Sequence, residues 1–306
     1  MKKIPIILDT DPGTDINDLF ALGLALRHPS LRLLGVTTVY GDTEARARLV
    51  AKMLRLAGRP EIPVAAGVRA PASLLKRGVI TPDFTDRLTH TQLVTSNDPE
   101  SQQSFPDAIP FILEQLEISE ESIGLVGIGA WSNLAAVIEQ ATPRQRSKIR
   151  FLALMGGETH LMWAEHNVGC DPESAEIVLN SDLPIFMGTL TVTRQIFFPF
   201  EETKKLFENS SDPFLRALWE ATEMWRPFSH GKPGPVLYDI VPLFRIFAPE
   251  LIQTKPAEVH VELEGKHTYG FTIADFRKKD GNVRVSMELD CERIKKDFLE
   301  IIMPKR

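Results

Sequence analysis

Apolar and polar positions divide the chain into short apolar runs that read as strands and longer segments of 3.6-residue period that read as helices. Ile4–Leu8 is followed by an acidic turn and then by the apolar stretch Leu19–Leu26, the pattern of a buried strand, a loop and a buried helix. Further runs at Leu33–Val39, Ile123–Ile128, Phe151–Met155 and Pro184–Met187 read as strands. Between them Thr43–Leu56, Ala108–Leu116, Asn133–Gln140, Pro172–Leu179 and Asp212–Trp225 carry helical periodicity. Strands this apolar, alternating with helices, predict an open doubly wound α/β fold: a mainly parallel central sheet with helices on both faces. Toward the end, Glu258–Leu263 and Val283–Leu289 alternate like edge or antiparallel strands, and Cys291–Ile302 predicts a closing helix.

Two stretches interrupt this rhythm within what reads as a single domain over residues 1–306. Residues 68–106 are polar, contain proline and lack clear periodicity, which reads either as a loop covering a site or as a surface excursion. Residues 190–235 predict a helical insertion near the active site, with aromatics such as Phe198, Phe207, Trp219 and Trp225 expected mainly in the core. With 306 residues, 43% of them hydrophobic and 25% charged, the chain can bury one large core. A net charge of −6 without a dense basic block excludes binding to a nucleic-acid backbone. No run is long and apolar enough for a membrane span or signal peptide. Two cysteines, Cys170 and Cys291, make no disulfide framework and no zinc pattern, so a reducing cytoplasm is expected.

The chemistry concentrates in Asp9-Thr10-Asp11-Pro12-Gly13-Thr14-Asp15-Ile16-Asn17-Asp18, which puts four carboxylates at the C-terminal end of the first strand. In open α/β sheets ligands bind at that edge, and carboxylates this close repel unless a cation or shared protons compensate them. A hard, oxygen-loving metal is the expectation. Asp18 begins a helix, with Asp15 or Asn17 as its N-cap. A calcium-type ion takes roughly six to eight oxygens, so distant segments must contribute. Gly129–Asn133 offers a backbone carbonyl, Glu165 and Asn167 are spaced to hydrogen-bond vicinal hydroxyls, and Asp239 follows a Gly/Pro-rich turn.

Taken in order, these segments resemble the inosine-uridine preferring nucleoside hydrolase family. Its opening Asp-x-Asp-Pro-Gly and acidic pair match Asp9–Asp18, its Met-Gly-Gly strand end matches Met155-Gly156-Gly157, and its Ala-Glu-x-Asn-x-x-x-Asp-Pro-Glu-x-Ala signature matches Ala164–Ala175. Gly129–Asn133 and the late Asp239 complete the match, which runs over nearly the whole chain. The resemblance implies calcium-dependent hydrolysis of the N-glycosidic bond of ribonucleosides to ribose and free base. It implies a Ca2+ held by Asp11, Asp18, Asp239 and the main-chain carbonyl of Ser132, with Asp11 activating a metal-bound water. Glu165 and Asn167 would bind the ribose hydroxyls, and Met155 would pack beneath the sugar. A small-molecule nucleoside as partner, and a homodimer or homotetramer, are implied in the same way.

Departures from the family pattern add candidates. The acidic loop is two residues longer than its simplest form, so Asn17 replaces one acid; Asp15 is a candidate for restoring the charge at the metal, and either Asp15 or Asn17 is a candidate for meeting the sugar. Asp42 stands where many members have Asn, and is expected near the ribose. Tyr238 occupies the position of a His proposed to assist the leaving base, and is the candidate leaving-group residue, with His230, His166 and His160 as others. Two readings compete: a ribose- or nucleoside-binding protein of the same fold that has lost catalysis, and a haloacid-dehalogenase-like phosphatase opening on Asp9-x-Asp11.

Overall fold

The computed structural model describes residues 2–303. Nine strands form one sheet: β1 (Ile4–Thr10), β2 (Leu31–Thr38), β3 (Val64–Ala66), β4 (Ile123–Gly127), β5 (Ile149–Met155), β6 (Ile185–Gly188), β7 (Ile252–Val261), β8 (Thr272–Asp275) and β9 (Val283–Leu289). Their order is β3-β2-β1-β4-β5-β6-β9-β7-β8. Pairing is parallel from β3 across to β9, and antiparallel for β9–β7 and β7–β8. Each face carries its own core. Leu8, Phe20, Trp225, Phe244 and Phe298 pack on one side; Ile7, Leu125, Leu152, Leu154 and Val283 pack on the other. A strand buried on both faces has no polar side to show, which is why Ile4–Leu8 reads as an unbroken apolar run.

Three elements differ from the sequence reading. Of the two readings of Val283–Leu289, edge or antiparallel, the second holds through its antiparallel pairing with β7, while its parallel pairing with β6 puts it inside the sheet and leaves the edge to β8, where Ile273 is 56% exposed. Residues 68–106 hold a short helix, Ala72–Lys76, and two 3₁₀ turns, and none of them lines the main cavity. The segment instead buttresses the acidic turn from outside: Thr89 N–H donates to the Gly13 carbonyl (2.6 Å), and Asp86 Oδ2 accepts from Thr14 Oγ1 (3.0 Å). Gly13 has φ +119°, and a Cβ there would lie 2.8 Å from Thr91 Cγ2, so the turn and its buttress require glycine. Finally, neither Asp15 nor Asn17 caps the first helix; the N-cap position is Ile16 and has no side-chain cap bond.

The sheet order reverses around β1, which has β2 on one side and β4 on the other. That reversal opens a crevice beyond the C-terminal ends of β1 and β4, the switch point where ligands bind in such sheets. Asp11 follows β1 and Ile128 follows β4, and both line the same cavity.

Candidate active site

A cavity of about 370 Å³ occupies the crevice. Its acidic side is made by Asp11, Asp15, Asn17 and Asp18 from the first loop; Met155, Glu165, His166 and Asn167 form the opposite side, and Trp163, Lys232 and Tyr238 reach in from later segments. Gly129 is packed so tightly against Asp11 that a Cβ there would sit 2.9 Å from Asp11 Oδ1. Glycine in that turn therefore lets the β4 end close on the acid.

Each carboxylate is held by neighbours built into the strands. Asp18 Oδ1 accepts from Thr10 Oγ1 (2.5 Å) and from the Asp11 N–H (3.1 Å). Asp9 Oδ1 accepts from Thr37 Oγ1 (2.5 Å) and Asn133 Nδ2 (2.7 Å). Asp239, brought in at the start of the helix Ile240–Phe247, accepts at Oδ2 from the Asn17 side-chain amide. Burial pushes Asp11, Asp18, Asp239 and Glu165 above the ordinary carboxylate range and Asp9 up to about 7; mutual repulsion adds to this for Asp18 and Asp239, while Arg46 opposes it at Asp11. Three buried oxygens in this cluster have no hydrogen-bond partner: Asp9 Oδ2, Asn17 Oδ1 and Asp239 Oδ1.

Arg46 was missed by the sequence reading, and it organises the turn. Fully buried, it donates from Nη1 to the main-chain carbonyls of Asp11 and Pro12, from Nε to the Tyr40 carbonyl (2.7 Å) and from Nη2 to Thr14 Oγ1 (3.0 Å) and Asp86 (3.3 Å). The planar fork of donors suits several acceptors fixed on one loop. Tyr40 takes a left-handed backbone (φ 63°) where it meets Arg46. A signal was present: Arg46 shares the stripe of Leu49, Val50 and Met53 on Thr43–Leu56, a basic residue among positions bound for the core.

The signature segment splits its polar atoms between framework and cavity. Glu165 is the N-cap of His166–Cys170, and its Oε2 accepts from Asn167 N–H (3.0 Å), Val168 N–H (3.3 Å) and Gly157 N–H (2.9 Å). Asn167 Nδ2 donates to the carbonyls of Ile128 and Met155 (3.0 Å each). That fixes the amide with its acceptor oxygen free to meet a hydroxyl. His166 opens to the cavity; Cys170 Sγ, 3.6 Å from its Nε2, and then Asp11 and Glu165 raise its pKa. Burial keeps the Cys170 thiol neutral, so we assign the effect on His166 to the two carboxylates.

Other expected residues stand elsewhere. Asp42 caps Thr43–Leu56 by accepting from the Ala45 N–H (3.1 Å) and does not line the cavity, so the structure gives it a helix-capping role in place of ribose contact. His230 is exposed, with a left-handed backbone (φ 53°), and His160 is exposed on its own loop; neither lines the cavity. The Ser132 hydroxyl donates to Asp171 Oδ2 (2.6 Å), away from the acids. Trp131 is fully buried and donates to the Met155 carbonyl, so it belongs to the framework of the site. Asp15 is engaged by Lys232 Nζ at 2.8 Å, and that ammonium lies 5.3 Å from the Tyr238 ring centre and 5.5 Å from that of Trp225. Burial opposes the Lys232 charge, but Asp15 outweighs it and the pKa rises.

The oxygen-rich cluster has the chemistry of a hard-cation site, with buried carboxylates in excess and unsatisfied oxygens, although the His166 imidazole faces the same cavity. Among the described residues no three His, Cys, Asp or Glu side chains stand together as a finished ligand set. A cation here would draw on amide and main-chain oxygens too, and would compete with Asn17 for Asp239.

Comparison with known proteins gives the family. Residues 6–296 match the model of the inosine-uridine preferring nucleoside hydrolases. A pyrimidine-specific ribonucleoside hydrolase RihA of Enterobacter sp. (strain 638) is 34% identical over 301 residues, which span 95% of this chain and 94% of that protein. A purine-preferring ribonucleoside hydrolase from Gardnerella vaginalis superposes with TM-score 0.80 at 26% identity, over 97% of this chain and 98% of the other. The plant nucleoside hydrolase PpNRh1 shares the fold at TM-score 0.82 and 23% identity, over 99% of both chains. A dehalogenase-like phosphatase is thereby set aside: the chain belongs to the inosine-uridine preferring nucleoside hydrolase family, whose members similar to it are ribonucleoside hydrolases, glycosidases acting on N-glycosyl compounds.

Proposed function

We propose that this hydrolase works with a calcium ion held by Asp11, Asp18, Asp239 and the Ser132 main-chain carbonyl, and that Asp11 is its general base. The observation that carries the reading is that Asp11, Asp18 and Asp239, all buried, lie within reach of one another's charge, with unpartnered oxygens on Asn17 and Asp239 beside them. Calcium, when bound, would supply Lewis acidity toward water and toward the ribose diol.

The chain's own residues divide the remaining work. Burial raises the basicity of Asp11, and Arg46 fixes the turn that carries it, so the carboxylate is placed to accept a proton from water. Glu165 and Asn167, each with one side anchored to the backbone, hold the sugar hydroxyls through their free oxygens. Met155 lies against the sugar and excludes water there. As the glycosidic bond lengthens, positive charge grows on the ribose, and the surrounding carboxylates favour that state over the ground state. Tyr238, with Lys232 beside it, forms the leaving-base wall; burial raises the Tyr238 pKa, so it serves as a hydrogen-bond donor rather than a phenolate. Asp15 acts through Lys232 in this scheme.

The name of the Enterobacter relative makes uridine and cytidine the first substrates to try, and that of the Gardnerella protein makes inosine the comparison. The test of mechanism is Asp11→Asn. Turnover should fall by about two to four orders of magnitude while ribose still binds. Undiminished turnover would remove Asp11 from the mechanism.

A further inference from the structure

A second cavity, also about 370 Å³, lies at the opposite edge of the sheet, where β5, β6 and β9 begin. Arg150, Arg245 and Arg284 line it, and the lining contains no Asp or Glu. Arg146 is paired with Asp182 and Arg293 with Asp297, whereas among the described residues Arg150, Arg245 and Arg284, like several scattered arginines, have no carboxylate partner; what sets these three apart is that they share one concavity. In a chain of net charge −6, three uncompensated guanidiniums in one concavity are not what an evenly solvated surface produces.

Their placement follows from the sheet. Arg284 on β9 pairs in register with Phe186 on β6, and the Arg245 guanidinium lies 5.9 Å from the Phe186 ring centre. Arg245 comes from the last turn of Ile240–Phe247 and makes one bond, from Nη1 to the Pro249 carbonyl at 3.3 Å. Burial, and then the charge of Arg284, lower its pKa, so the two cations feel each other. Phe151, Phe186 and Ile246 give the cavity an apolar floor.

We propose that this cavity is a binding site for an organic phosphate, its flat apolar body on Phe151 and Phe186 and its dianion among Arg150, Arg245 and Arg284. Guanidinium forks match phosphate oxygens in pairs, and a dianion offsets the mutual repulsion of the three cations. The site is separate from the catalytic one: β5 runs from Arg150 near this edge to Met155 in the catalytic cavity, five residues or roughly 17 Å of strand. Ile240–Phe247 also joins the two, with Asp239 at its start and Arg245 in its last turn.

Phenyl phosphate is the probe, because it has the body and the charge but no ribose. Titration calorimetry on the full chain should show saturable binding that excess ribose leaves unchanged, and binding tighter than that of inorganic phosphate or benzoate by about tenfold or more. Arg245→Gln and Arg284→Gln should each weaken it by about tenfold, and Arg284→Lys by less. Unchanged nucleoside turnover in these variants would show that they fold. Absence of saturable binding, affinity that survives both Gln substitutions, displacement by ribose, or equal affinity for benzoate would each overturn the assignment.

Discussion

Asn17 and Asp239 are 222 positions apart, yet the Asn17 amide donates to Asp239 Oδ2 inside the acidic cluster. Each also keeps one buried oxygen without a partner. The bond joins the first loop to the helix Ile240–Phe247 and relieves one of several crowded carboxylates. Asn17→Asp removes that donor and adds a further acid. In chelator its melting temperature should fall by the equivalent of about 1–3 kcal/mol. Calcium should then raise its melting temperature more than that of the wild type; an equal response in both would contradict the proposed site.

Acidity should destabilise most proteins of this size, but the calcium-free form of this one should respond in the opposite sense over part of the range. Asp9, Asp11, Asp18, Asp239 and Glu165 all have folded-state pKa values above their ordinary ones. The folded chain therefore holds protons that the unfolded chain releases. This contribution is complete below the ordinary carboxylate pKa and is lost as pH rises through the folded values, near 7 for Asp9. Chemical denaturation in chelator should show stability falling on the order of a few kcal/mol between about pH 4 and 7, apart from other groups. Added calcium should flatten the slope. A stability that rises across this window in chelator, with no change on adding calcium, would contradict the pKa pattern.

Replacing Arg46 should cost more than any surface arginine. It satisfies three main-chain carbonyls and two side chains around the acidic turn. Arg46→Met should lose about 2–4 kcal/mol in urea unfolding, because buried acceptors are left without donors. Arg46→Lys should recover only part of this, since a single ammonium cannot replace the fork. Full stability in the Lys variant would show that charge alone suffices.

Much of this architecture was legible from local pattern. Thr43–Leu56, Pro172–Leu179 and Cys291–Ile302 have the bounds that periodicity and capping residues suggest. What escaped was set by distant partners. β3 has three residues and β8 four, too few for a period to register, and β9 lies inside the sheet only because β7 returns antiparallel beside it. The acidic loop could be read because its residues are contiguous. Lys232 could not, because nothing near residue 232 announces a contact with Asp15. Asp42 shows the reverse error: matching a family position supplied a role, while local geometry uses the side chain as a helix cap.

Trp163 stands on a loop with unusual exposure. Leu161, Met162 and Trp163 are 43%, 83% and 51% exposed, and Trp163 lines the catalytic cavity. Glu158 anchors the loop by accepting from His160 N–H (2.6 Å), Thr191 N–H (2.9 Å) and Thr191 Oγ1 (2.7 Å). An aromatic face at the mouth is suited to stacking on a nucleobase. Trp163→Ala should raise KM by about tenfold and change kcat less, as expected for lost base stacking. A fall in kcat with KM unchanged would place Trp163 elsewhere in the mechanism.

The most direct measurement is release of reducing sugar from uridine, cytidine and inosine, without phosphate, before and after removal and restoration of calcium. The account predicts ribose release that disappears with calcium and returns when it is restored. Release that persists at the same rate after the metal is removed would contradict the calcium-held mechanism.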